Sequence, residues 1–195
     1  DRPDIAFIEC SRSQAADHAR EIIERLNIPV VPLALEEIRG RKLRIPPDVN
    51  TVLTTSFHVD ELACLRDEGV DVVALPIEVS PVLLAELEGI GRQVIFLEAD
   101  TDLARRTATD AVWMMGIEDP RVEVVADIGD FLTDYFESSQ ADSVDTLFLV
   151  PQKEWEDLAQ TWHGHYSVRP ISCRLSDPAW PLIGAALRIP FGTSL

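Results

Sequence analysis

The sequence predicts an α/β protein of two Rossmann-like lobes, each built on a parallel sheet, and three observations lead there. Short apolar runs such as DIAFIEC (Asp4 to Cys10), DVVALPI (Asp71 to Ile77) and RQVIFL (Arg92 to Leu97) lack the alternation of a sheet with one wet face. They suit strands covered on both sides. Helical stripes of apolar residues lie between them, and strand starts recur roughly every 21 to 29 residues, one βα unit each. Eight such units are the number of a (β/α)₈ barrel, but that fold usually takes about 250 residues. A chain of 195 residues fits two four-stranded lobes better, residues 1–90 and 91–195, with the break between Ile77 and Arg92.

Asp4 to Cys10 is the first strand. Ser11 and Ser13 follow as helix caps, and Ala15, Ala19, Ile22, Ile23 and Leu26 make the stripe of the first helix, which Asn27 stops. Pro29 to Leu33 reads as a second strand opened by proline, as an edge position allows. After a weakly patterned connection, Thr51-Val52-Leu53 runs into Thr54-Thr55-Ser56, then Phe57-His58, and a helix is expected over Val59 to Leu65, closed by Gly69. Asp71 to Ile77 is the fourth strand. Ser80-Pro81 opens a helix over Val82 to Leu87. The second lobe repeats the rhythm: a strand from Arg92, a helix over Leu103 to Met115, a strand over Val122 to Ala126 and a helix from Asp130 to about Glu137. A strand over Thr146 to Val150, a helix from Pro151 to Trp162, a last strand over Val168 to Cys173 and a final helix to about Leu187 complete it.

Composition narrows the function classes. Seventeen Lys and Arg against 34 Asp and Glu give a net charge of −17, which repels phosphate backbones, so this stretch is not expected to grip nucleic acid itself. The basic cluster Arg39 to Arg44 reads as a solvated loop. A 46% hydrophobic content supports a packed core, and no apolar run reaches membrane-spanning length. Cys10, Cys64 and Cys173 are odd in number and lack CxxC spacing, which suggests a reducing compartment, the cytoplasm by default. Nothing at the start reads as a signal peptide.

Because βαβ crossovers are right-handed, the carboxyl ends of a lobe's strands open to one edge, where doubly wound sheets bind small ligands. The expected lining in the first lobe is Glu9, Ser11, Ser13, Thr54, Thr55, Ser56, Phe57, His58, Glu78 and Ser80, with Cys10 beside them. In the second lobe it is Glu98, Asp100, Asp102, Asp127 and Gln152. Such a lining suits a small polar molecule held between the lobes. Ser11, Ser80, Asp102, Asp130 and Ser176 also stand where helix caps are needed. Glu9 and Glu98 each end an apolar strand, and a buried carboxylate needs a donor or cation beside it. His58, in the first turn of a helix whose dipole disfavours a charged imidazole, reads either as a neutral donor to a ligand oxygen or as a satisfied structural histidine.

Signatures of catalysis are weak. No GxGxxG, phosphate loop or GxSxG is present, no metal site or cofactor is expected, and His163 and His165 have no third ligand nearby in sequence. Cys64 reads as core. The enzymatic alternative with most content is a two-lobed, cofactor-independent racemase or isomerase using Cys10 and Cys173, or an enzyme of the uroporphyrinogen-III-synthase kind.

The runs DIAFIECSRSQAADHAREIIERLNIPVVPLALEEI, TVLTTSFHVDEL and DVVALPIEVSPVLLAEL, with the closing SDPAWPLIGAAL, resemble the C-terminal effector-binding region of one group of GntR-type bacterial transcriptional regulators. The resemblance covers most of the first lobe and, in the second, element order and the last helix. It implies a sensor fold like a compact periplasmic-binding protein or LacI-type domain, with Glu9, Ser11, Thr54, Thr55, Phe57, His58, Glu78 and Ser80 facing a small effector. It also implies a homodimer and a winged-helix domain, outside this stretch, that contacts DNA. The apolar row Val112 to Met115 is the candidate dimer face.

Overall fold

The computed structural model describes residues 4–38, 45–88, 93–99, 101–138 and 146–189. The chain begins with β1 (Asp4–Glu9), α1 (Arg12–Leu26), β2 (Val30–Ala34), α2 (Leu35–Ile38), β3 (Val49–Thr55), α3 (Cys64–Asp67) and β4 (Asp71–Leu75). Then come β5 (Ile77–Val79), α4 (Pro81–Glu88), β6 (Gln93–Glu98), α5 (Thr101–Met115), β7 (Arg121–Val124) and α6 (Ile128–Glu137). It ends with β8 (Thr146–Val150), α7 (Gln152–Asp157), α8 (Gln160–His163), β9 (Val168–Pro170), β10 (Cys173–Leu175) and α9 (Ala179–Leu187). Among the described residues no helix is long and apolar enough to cross a membrane.

Two compact units result, one made of Asp1–Glu78 and Arg174–Leu195, the other of Val79–Cys173. Each carries a four-stranded parallel sheet, ordered β2-β1-β3-β4 in the first and β7-β6-β8-β9 in the second. The barrel alternative is thereby excluded, since the strands form separate sheets. The division also differs from the single break at 90/91 that the sequence suggested. Helix α4 belongs to the second unit, where Leu83 packs with Phe96, and α9 belongs to the first, where Ala179, Trp180 and Ile183 pack on Ile5 and Phe7. The chain therefore passes between the units twice, and the short strands that carry the crossings, β5 and β10, pair in a two-stranded sheet. Pro76 separates β4 from β5 within the expected strand Asp71 to Ile77. Its carbonyl accepts from both the N–H and the hydroxyl of Ser176.

In the first unit β1 is one of two inner strands, with Ile5, Ala6, Phe7 and Ile8 fully buried. Alternation sends Ile5 and Phe7 toward α1 and α9, and Ala6 and Ile8 toward Leu35, Leu62 and Leu65 on the opposite face. Edge strand β2 tolerates Pro32 because its outer N–H groups have no ladder to join. Ser11 caps α1 by accepting from the Gln14 N–H at 3.2 Å, and Asn27 ends it in the left-handed region at φ 53°. The expected helix over Val59 to Leu65 is instead a series of turns, and α3 is only four residues long. Cys64, expected in the core, is exposed at its start.

The second unit repeats the first. Helices α1 and α5 are both 15 residues long, and Phe7 and Phe96, Glu9 and Glu98, His18 and Thr107, and Asn27 and Gly116 are all separated by one constant interval. Phe96 faces Ala111 of α5 as Phe7 faces Ile22 of α1. On the other face Ile95, Leu97 and Phe148 meet Ile128 and Leu132 of α6, and Phe131, Tyr135 and Phe136 set their rings on Phe148, with centroids 4.8–6.0 Å away. Met114 and Met115, part of the candidate dimer face, pack into the unit's own core, while Val112 stays exposed. The basic cluster Arg39 to Arg44 lies outside the described residues.

Candidate functional site

In a sheet ordered β2-β1-β3-β4, the crossover direction reverses between β1 and β3. The chains leave those two strands to opposite faces, the topological switch point at whose carboxyl ends doubly wound sheets bind ligands. The first unit places Glu9, Cys10 and Ser11 at the end of β1, and Thr54, Thr55 and the turns carrying Phe57 and His58 at the end of β3. The Thr54 hydroxyl donates to the Ile8 carbonyl at 2.9 Å and ties the two strand ends together.

Glu9 is 3% exposed. Its Oε2 accepts from the backbone N–H of Cys10 at 3.2 Å and lies 3.1 Å from Nε2 of His58, whose Nδ1 stands 3.0 Å from Oε1 of Glu61. An imidazole with a carboxylate on each nitrogen has a donor role at both, which is the protonated form. Burial works against that charge, but the Cys10 sulfur, the Glu9 carboxylate and Glu61 outweigh it and push the His58 pKa up to about 10. Of the two readings of His58, the neutral donor does not fit a ring between two carboxylates. The residue sits in a turn, with no helix dipole at its back and two carboxylates in front. Burial likewise tends to raise the Glu9 pKa, yet His58 holds it below the ordinary carboxylate range, with smaller help from Thr55 and His18.

Two buried oxygens at this edge are imperfectly satisfied. Among the described residues Glu9 Oε1 and Thr55 Oγ1 close no hydrogen bond of ordinary geometry, yet the Thr55 hydroxyl lies near enough to the Glu9 carboxylate to help keep it ionised. The contact between the Thr55 hydroxyl and Glu9 is looser than an ordinary hydrogen bond, so a guest that supplies a well-placed donor to Glu9 improves on it. The Cys10 thiol donates to Oε1 of Gln14 at 2.7 Å. Sulfur, carboxylate and imidazole all lie within 4.8 Å of one another.

Of the residues singled out in the sequence, the structure gathers Glu9, Thr54, Thr55 and His58, with Cys10, at this edge. Ser11 is the α1 cap, Ser13 lies in the first turn of α1, Ser56 is exposed and Phe57 half-buried in the turn after β3. Glu78 lies in β5 and pairs with Arg174, at 2.7 Å from its Nε. The other residues serve the second unit. Ser80 precedes α4 and gives its N–H to the Ser172 carbonyl, Asp127 caps α6 by accepting from the Asp130 N–H at 2.8 Å, and Gln152 opens α7. Asp130, expected as that cap, is the donor instead. Glu98, 3% exposed at the end of β6, accepts from the Thr107 hydroxyl. Asp102 falls within α5, and Asp100 lies outside the described residues.

His163 and His165 serve aromatic packing. His163 stacks on Trp155 at 4.6 Å, and His165 lies 4.4 Å from Phe136, where burial lowers its pKa. Cys173 packs against the apolar cluster around Phe96. The participants that sequence reasoning misses are His18 and Glu61. His18 is 3% exposed on the apolar face of α1, with Glu21 2.9 Å from its Nδ1 and its ring 5.1 Å from Phe7. A titratable residue inside the stripe Ala15, Ala19, Ile22 is the available signal. For Glu61 it is the spacing of three from His58 in a segment whose pattern reads as helix.

No family model matches the chain, and comparison with curated proteins and with solved structures finds no match.

Proposed function

We propose that this chain is the effector-binding module of a bacterial transcriptional regulator of the GntR type, and that a small polar effector binds at the β1/β3 edge of the first unit. One observation carries the reading: a buried carboxylate held ionised by His58 at the switch point of a parallel sheet, with Glu9 Oε1 and Thr55 Oγ1 in no well-formed hydrogen bond among the described residues. The effector this edge favours brings a hydroxyl or ammonium donor to Glu9 and an acceptor to Thr55, as a sugar, amino acid or nucleoside does. The net charge of −17 accords with DNA contact being made elsewhere, by a winged-helix domain in a longer, dimeric protein. The resemblance of FIEC, TTSFH and the following strand to that group of regulators points the same way. The overall likeness it implies is to a periplasmic-binding or LacI-type sensor.

A thermal-shift screen against sugars, amino acids and nucleosides tests this. At least one compound should raise the melting temperature, and Thr55→Ala should abolish the rise while leaving the circular dichroism spectrum unchanged. A stabilising compound that acts equally on the Thr55 variant moves the site elsewhere. The Cys10 thiol beside an imidazole favours a second reading, a cysteine-dependent isomerase. The partner thiol that reading needs is packed in apolar surroundings at Cys173, and turnover lost on Cys10→Ser would revive it.

A further inference from the structure

Polar recognition of an effector leaves unexplained why a carboxylate, a thiol and an imidazole are gathered at one strand edge. We propose that Glu9, Cys10 and His58 hold a divalent cation of the zinc class through Oε2, Sγ and Nε2, leaving a coordination position for a ligand. This rests on the reading of the β1/β3 edge as a ligand site and names a resident ion for it. The three donor atoms lie within 4.8 Å of one another, and Oε2 and Nε2 are 3.1 Å apart. Zinc bonded tetrahedrally to S, N and O spaces its donors at roughly 3.3–3.8 Å, so small side-chain rotations suffice.

Three further features fit an ion better than packing. His58 turns its other nitrogen to Glu61 at 3.0 Å, the carboxylate–histidine arrangement that orients a metal-binding imidazole and raises its basicity. Gln14 reaches the Cys10 sulfur from the helix side at 2.7 Å, and a turn of its amide presents Nε2–H as a donor to the thiolate that the ion requires. Thr55, 1% exposed and outside the donor set, borders the carboxylate with its hydroxyl in no well-formed hydrogen bond among the described residues, where it can meet a molecule bound to the ion. Donor chemistry selects the ion: a thiolate disfavours magnesium and calcium, and one each of S, N and O suits zinc or cobalt. Binding releases the proton on His58 Nε2 and the thiol proton to solvent. Carboxylate and thiolate then balance the double charge.

The experiment treats the chelator-stripped chain with Co²⁺, then Zn²⁺. One Co²⁺ per chain should bind and give a near-ultraviolet thiolate-to-cobalt band that Zn²⁺ removes. Cys10→Ser should lose the band and Cys64→Ser should keep it. Glu61→Gln, a positioning change, should weaken affinity about 10- to 100-fold yet keep the band at saturation. In the unaltered chain, Zn²⁺ should slow alkylation of Cys10 and leave the exposed Cys64 unprotected, a readout that needs no variant to fold. Absence of stoichiometric binding, a band that survives Cys10→Ser, or unprotected Cys10 overturns the ion. A metabolite that stabilises the stripped chain through Thr55 would leave the effector reading standing after the ion had failed. A bound ion with no stabilising metabolite would uphold the ion and remove the effector.

Discussion

The two units hold the same strand order and the same buried glutamate at the end of an inner strand, yet their sheet edges are chemically unlike. Glu9 faces an imidazolium, whereas Glu98 receives a hydroxyl from Thr107 of its own crossover helix. The strand next door differs in the same sense. Ile8 pairs with Thr54 in the first unit, and the register that pairs Phe96 with Leu149 places Val150 and Pro151 where the first unit has Thr54 and Thr55. One edge carries two hydroxyls and a charged ring, and the other an aliphatic side chain and a proline. A βα repeat thus keeps its buried carboxylate whether or not a site is built around it. What makes the site is the neighbouring strand and the turn after it.

The core should show how far the likeness extends. Phe7 and Phe96 are both fully buried, each on an inner strand facing the crossover helix. Alanine at either should cost about 3–5 kcal/mol in urea denaturation. Similar losses support true structural repeats. Costs that differ by a factor of two or more would mean that the two cores only look alike.

Glutamate substitution should separate the edges. Glu9→Gln removes the buried countercharge of the imidazolium and leaves the half-exposed Glu61 as its one carboxylate, so it should cost about 2–4 kcal/mol. Glu98→Gln keeps an acceptor for Thr107 and should cost about 1 kcal/mol. Proton linkage sharpens the contrast. The folded pKa of His58 is raised from 6.5 to about 10, so its stabilising contribution is complete below pH 6.5 and is lost as pH rises through about 10. Glu9 has a lowered pKa, so its contribution is present above the ordinary carboxylate value of 4.5 and is lost as pH falls below it. In metal-free protein the His58-dependent loss on the alkaline side should not exceed about 1.4 kcal/mol per pH unit, and His58→Gln should remove that component. An unchanged alkaline slope in that variant would mean that the ring is neutral in the folded chain.

Much of this edge is legible in the sequence because it obeys local rules. Apolar strands that end in Glu9 or in Thr54-Thr55 announce a strand terminus, and Ser11 announces a cap, whatever the rest of the chain does. Long-range pairing is not legible. Nothing local tells α9 to return to β1 rather than stay with the strands before it, because a helix apolar at Ala179, Trp180, Ile183 and Leu187 fits either sheet. Nor can His58 be read as charged, since its charge depends on Glu9, far away along the chain, and on a turn that the pattern assigns to helix. The second unit's edge carries plainer signals. Val150-Pro151 already lacks hydroxyls, and Asp127 followed by a helical run is a cap signal.

The smallest effect lies at the helix ends of the repeat, where only backbone geometry is at stake. Asn27 closes α1 at φ 53° and Gly116 closes α5 at φ 69°, the left-handed conformation that a side chain adopts at a cost unless it is asparagine or glycine. A Cβ added at Gly116 meets nothing within 4 Å among the described residues, so the conformational cost dominates the reading. Gly116→Ala should therefore lose about 1 kcal/mol, while Gly116→Asn, which copies the first unit, should recover most of it. Equal losses for the two substitutions would mean that the two helix ends share an angle but not the asparagine's own stabilisation of it, and the correspondence between the units would then stop short of their helix termini.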